Sequence, residues 1–123
     1  MPDFDPLPCS KIVHRTITRA RDFVDGRVLT AAFQRRDNDK KGLSVDFDVD
    51  VPAGCAPQLT GKRAVVSLHV GRIRNAGLNV LADAETHGNI TGIPFYSSYD
   101  EREKAEQLAA KLAEQSRVAW PLH

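Results

Sequence analysis

The chain has 123 residues with 17 Lys+Arg against 16 Asp+Glu, and it is 41% hydrophobic and 27% charged. That length suits one globular domain. The near-neutral balance excludes a wholly basic nucleic-acid arm and an acidic solvating tail. No apolar run approaches the ~20 residues that span a bilayer. No cationic start leads into an apolar stretch. The expectation is a cytoplasmic protein with free thiols and no membrane partner. Cys9 and Cys55 sit beside prolines, without a CxxC or zinc-ligand spacing. Spacing alone leaves open whether they pair.

Residues 1–10 carry Pro2, Pro6 and Pro8 and read as a flexible tail, with residues 11–123 as a single domain. The β-branched run 11–18 predicts a first strand. Asp25-Gly26 marks a turn. Residues 27–33 suit either a short strand or one helical turn capped by Thr30. A polar loop covers 37–42. Leu43, Val45, Phe47, Val49 and Val51 then alternate with Ser44, Asp46, Asp48 and Asp50. This period of two predicts a strand with one wet face, typical of an antiparallel sheet.

Residues 63–74 predict another strand, with Ala64, Val66, Leu68 and Val70 on one face. Residues 78–82 are short and strand-like, and 86–89 read as a turn. Ser98 and Glu101 form a capping-box pattern at the head of a helix running from Asp100 to Arg117. Ala105, Leu108, Ala109, Leu112 and Ser116 follow the helical i, i+3, i+4, i+7 spacing and make that helix amphipathic. Residues 118–120 suit a last short strand or a packed tail. The predicted fold is α+β: a mostly antiparallel sheet of four to five strands covered by one long C-terminal helix.

Four constellations bear on chemistry. Residues 37–48 partly match a calcium loop, but Lys41 stands where an oxygen ligand is needed, so a polar hairpin loop is expected and no metal. Asp46, Asp48 and Asp50 form an acidic row whose spacing suits clamping a divalent cation or an acid/base pair, with a solvated sheet face favoured over both and a partner-docking surface as its use in a binding module. The basic blocks 15–21 and 62–74 suit a phosphate or an acidic partner, but no aromatics interleave for stacking on nucleic acid. His87 sits among small polar residues that allow close approach of a ligand, with Asn89 and Thr91 following. There is no GxSxG elbow, P-loop, HExxH or GxGxxG pattern.

Two functions follow as expectations. The first is a small non-enzymatic binding or accessory module without cofactor, which dimerises or docks on a larger protein. Its binding residues would be Asp46, Asp48, Asp50, His87, Asn89 and Thr91. The second is a small enzyme acting on a phosphorylated or nucleotide-like substrate. There His14 or His87 would be the acid/base, with Arg15 and Ser44 beside them in one pocket.

The string Val13-His14, Arg27, Ala32-Phe33, Leu43-Ser44-Val45, Gly71, Gly77-Leu78, Asp83 and Asn89 to Pro94 resembles small bacterial proteins of unassigned function, over residues 12–117. His14-Arg15 and Ser44 are also faintly similar to the opening strands of ADP-ribosyltransferase-like folds. The later glutamate and the glycine-bearing NAD cradle of those folds have no counterpart here.

Overall fold

A computed structural model describes residues 5–48 and 64–120. The fold is α+β, with a mostly antiparallel sheet and a C-terminal helix. Among the described residues nine strands run in chain order as β1 (Asp5–Pro6), β2 (Ile12–Ile17), β3 (Phe23–Val24), β4 (Arg27–Val28), β5 (Leu43–Asp46), β6 (Ala64–His69), β7 (Asn79–Ala82), β8 (His87–Thr91) and β9 (Arg117–Trp120). Helix α1 spans Val70–Asn75 and α2 spans Arg102–Gln115. Seven strands form the main sheet in the order β1-β7-β8-β5-β2-β6-β9, and β3 and β4 form a separate hairpin. Every described pairing is antiparallel.

Residues opposite one another in an antiparallel ladder share a face. Val13 opposes Leu68, and Leu43 opposes Ile90. This set, with Val45, Val66 and Val80, is fully or almost fully buried. Phe33 and the α2 residues Leu108, Ala109 and Leu112 complete the same core. The other face carries Ser67, His14, Asp46 and His87 as successive cross-strand partners over four strands. One face of the sheet is thus oil, and the other is a polar row.

Two glycines bring the strands of this row together. A Cβ on Gly88 would stand 2.7 Å from the Leu81 carbonyl oxygen, so β7 and β8 close up only around hydrogen. Gly42, at φ +125°, brings the chain into β5; a Cβ there would meet the Ile90 carbonyl oxygen at 2.2 Å.

Several expectations change. The N-terminal segment is not free over its described part: Asp5 and Pro6 pair with Ala82 and Leu81, and Leu7 is buried. Pro6 is tolerated because β1 is an edge strand. The strand expected over 63–74 stops at His69, and Val70 starts a helix whose Val70 and Ile73 are buried. Residues 27–33 hold both alternatives: strand β4, then a 3-10 turn over Thr30–Phe33 with Leu29, not Thr30, at its cap. The capping box is not formed, because α2 starts at Arg102 with Glu101 at its cap and no side-chain cap bond. His87 to Thr91 is a strand, and the turn precedes it at 83–86. The alternating run from Leu43 is a strand only to Asp46. Asp48 adopts φ +58° and Lys11 donates to it at 2.8 Å. Residues 49–63, with Asp50 and Cys55, lie outside the described residues.

Leu112 has no exposed surface, whereas its neighbour Lys111 is solvent-facing. Replacing Leu112 by Ala is expected to cost about 2–5 kcal/mol, and replacing Lys111 by Ala less than about 0.5. Urea unfolding of both variants checks the orientation of α2; equal losses would refute it.

Candidate active site

Ser44, His87 and Asp83 form a continuous hydrogen-bonded chain on the polar face. Each is placed by simple strand geometry. Ser44 is the second residue of β5 and opposes Asn89 of β8. His87 lies two residues before Asn89, so both side chains leave β8 on the same face. The His87 ring lies on the diagonal from Ser44, within reach of a long side chain. Asp83 follows β7 directly, and its main-chain N–H donates to the His87 carbonyl at 3.1 Å. The β7–β8 turn thus returns His87 beside Asp83 although four positions separate them.

The contacts join the three side chains end to end. His87 Nδ1 lies 2.6 Å from Asp83 Oδ1, and His87 Nε2 is hydrogen-bonded to Ser44 Oγ. Asn89 Nδ2 donates to the other carboxylate oxygen, Oδ2, at 2.9 Å. Lys41 Nζ stands 3.9 Å from the same oxygen. The hydrogen bond from His87 holds the Asp83 carboxyl below its ordinary range; the Asn89 bond and the Lys41 charge add to this, against partial burial. An ionised Asp83 has no proton to give. Nδ1 therefore carries the hydrogen, and in the neutral ring Nε2 is left as the acceptor for the Ser44 hydroxyl. The Asp83 side chain is 11% exposed and that of His87 35%, while Ser44 is exposed. The orienting acid is sheltered and the hydroxyl faces solvent.

The expected residues divide between the two faces. Ser44, His87 and Asn89 come together, and His14 shares their face further along the sheet, beside Asp46. Arg15 does not join them. As the neighbour of His14 in a strand it points to the opposite side, so the expected convergence of His14, Arg15 and His87 in one pocket is corrected. Its Nε donates to the Ala32 carbonyl and its Nη1 to the Ser44 carbonyl, both at 2.9 Å. Thr91 closes the far end of β8, opposite Asn79. Asp46 is in the polar row, whereas Asp48 lies past the strand end with Lys11.

Asp83 was not a candidate on sequence grounds. The signal available was an Asp and a His flanking a short turn between two strands, with Asn two residues beyond. Among the described residues no group of three or more His, Cys, Asp and Glu side chains suits a metal ion. Among them, too, no helix is long and apolar enough to cross a membrane. Cys9 is exposed, and Arg74 Nη1 donates to its Sγ at 3.2 Å.

No family model, no curated protein and no solved structure matches the chain.

His14 differs from His87. Its Nδ1 is buried without a hydrogen-bond partner. Burial lowers its affinity for a proton below the ordinary 6.5, with Asp46 opposing. Both His14 and Asp83 thus have folded-state values below their unfolded ones, so each adds stability at high pH that is lost on acidification. Unfolding free energy should fall first as pH drops through and below 6.5, and again below 3.8. His14→Gln should flatten the first decline and Asp83→Asn the second, read from urea midpoints across pH. An unchanged first decline in His14→Gln would show that His14 is not its source.

Proposed function

We propose that the protein is a serine-dependent acyl hydrolase or acyl transferase acting through Ser44, His87 and Asp83. The observation that carries the reading is the unbroken Asp83–His87–Ser44 relay, with the hydroxyl at the solvent end. A serine hydroxyl is a weak nucleophile until an adjacent base takes its proton. In the proposed cycle Ser44 Oγ attacks the carbonyl carbon of an ester while its proton passes to His87 Nε2. The tetrahedral adduct expels the alcohol, which leaves with that proton. Water, deprotonated by His87, then cleaves the acyl-serine and restores the hydroxyl; a second alcohol in place of water gives transfer. Asp83 stays ionised throughout, fixing the tautomer and stabilising the imidazolium. Asn89 acts through Asp83 as a positioning residue.

The absence of a GxSxG elbow does not count against this arrangement, because such relays are defined by geometry and roles, not by sequence order. A second reading, a module that pairs with a protein partner or a second copy, is supported by the outer edge of the sheet. Strand β9 ends the strand order and pairs only β6 among the described residues. An open strand edge is a template for another strand.

A fluorophosphonate probe should label the wild-type chain at Ser44, located by mass spectrometry of the peptide. Ser44→Ala should abolish labelling. His87→Ala should slow it by about 10²–10⁴-fold, as expected for loss of a general base. A probe that leaves Ser44 unmodified while the chain is folded would defeat the hydrolase reading. Co-elution as a dimer in that case would favour the docking module.

A further inference from the structure

The relay makes no use of the basic residues near the C-terminal end of β2, and these line a cavity of their own. It has a volume of about 130 Å³ and lies between β2, the 3-10 turn at Ala20–Asp22 and the segment 34–39. Arg15, Arg19 and Arg36 line it, together with Asp22 and Asp39. Asp39 is committed to its own loop, accepting the Arg36 main-chain N–H at 2.9 Å. Arg15 places two N–H groups on main-chain carbonyls, and its remaining donors have no hydrogen-bond partner among the described residues. Arg19 and Arg36 make no side-chain hydrogen bond to a described residue. The wall therefore holds an excess of one positive charge and a surplus of planar donors.

Asp22 adds an independent requirement. It is 7% exposed, and its Oδ1 is buried without a hydrogen-bond partner. An unmet buried acceptor is costly, so such a group is found where something completes it. Bare inorganic anion would answer the arginines but not Asp22. A ligand with an anionic group and a nearby hydroxyl answers both. Arginines from two segments, Arg15 and Arg19 from β2 and its end and Arg36 from the segment 34–39, with Thr16 and Thr18 beside them, suit a tetrahedral group with several oxygens better than a planar carboxylate. A water's share of liquid volume is about 30 Å³, so the cavity has room for on the order of four water-sized groups. That is the scale of a phosphate group with a hydroxyl beside it, and too small for a whole nucleotide.

We propose that this cavity binds a small phosphate monoester carrying a free hydroxyl, with Arg15, Arg19 and Arg36 on the phosphate and Asp22 accepting from the hydroxyl. The site does not depend on the Ser44 relay, although the two meet at Arg15, which bonds the Ser44 carbonyl. Isothermal titration of the full chain with inorganic phosphate, glycerol 3-phosphate and glycine tests it. Both phosphates should bind saturably, the ester about tenfold tighter. Arg19→Gln and Arg36→Gln, each on the cavity wall and away from the core, should weaken both by about tenfold. Asp22→Ala, which removes the acceptor, should abolish the preference for the ester. Ser44→Ala should bind as the wild type does, so a failure of the relay and a failure of this site give different results. No saturable binding of either phosphate, affinities unmoved by the arginine variants, or tighter binding of glycine would each overturn the proposal. Thermal melts of every variant confirm that the fold is present.

Discussion

The Arg15 guanidinium is the tie on which the two halves of the structure depend. Strands β2 and β5 are neighbours in the sheet, yet their ladder shows a single Cα pairing, His14 with Asp46. Beyond it, the Ser44 carbonyl takes its hydrogen bond from Arg15 Nη1, while Arg15 Nε holds Ala32 in the 3-10 turn at Thr30–Phe33. One side chain thus joins the strand that carries the hydroxyl to the segment that packs under α2. A hydrogen bond from a charged donor contributes about 1.5–3 kcal/mol, more than the neutral bond it replaces. Burial works against the charge, pushing the guanidinium below its ordinary range, and Asp39 and Asp22 work for it.

The division of the sheet into two faces explains why a polar constellation can exist in so small a domain. A strand residue and its neighbour point to opposite sides. In β5, Leu43 and Val45 therefore fill the core while Ser44 and Asp46 stand on the other face. In β8 the same alternation sends Ile90 inward and His87, Asn89 and Thr91 outward. The core sets the register, since a slip of one residue would place Ser44 and Asn89 among leucines and valines. Precision at the relay is inherited from packing on the far side of the sheet.

That coupling also decides what was legible beforehand. The α+β class, the apolar stripe of α2 and the wet face of β5 follow from periodicity, and the structure has all three. Periodicity also places Ser44 opposite the core. It cannot say which strand lies beside β5, so the meeting of Ser44 with His87 depends on a strand order that no local pattern encodes. Asp83 carries no local signature, because it meets His87 only when the turn at 83–86 folds back. The misjudged ends have local causes. The run from Leu43 keeps its alternation past Asp46, but Asp48 takes a left-handed conformation and pairs with Lys11. The run into Gly71 looks extended by composition, yet Val70 and Ile73 bury more effectively as one turn and a half of helix. There, tertiary packing overrides local preference.

The gradient of exposure along the relay is itself a physical argument about use. Three side chains joined only to stabilise the sheet would gain most by being buried together, where hydrogen bonds are strongest. Here shelter is greatest at the carboxylate, which Asn89 and His87 both address, and least at the hydroxyl. Asn89 is 5% exposed, so its amide holds the acid from a sheltered position on the same face. The imidazole is thereby fixed in ring orientation and tautomer before anything binds, and the hydroxyl at the exposed end is the group that would have to reach a substrate. Orientation paid for in folding need not be supplied during reaction, which is the condition under which a fixed relay is worth more than the same groups free in solution.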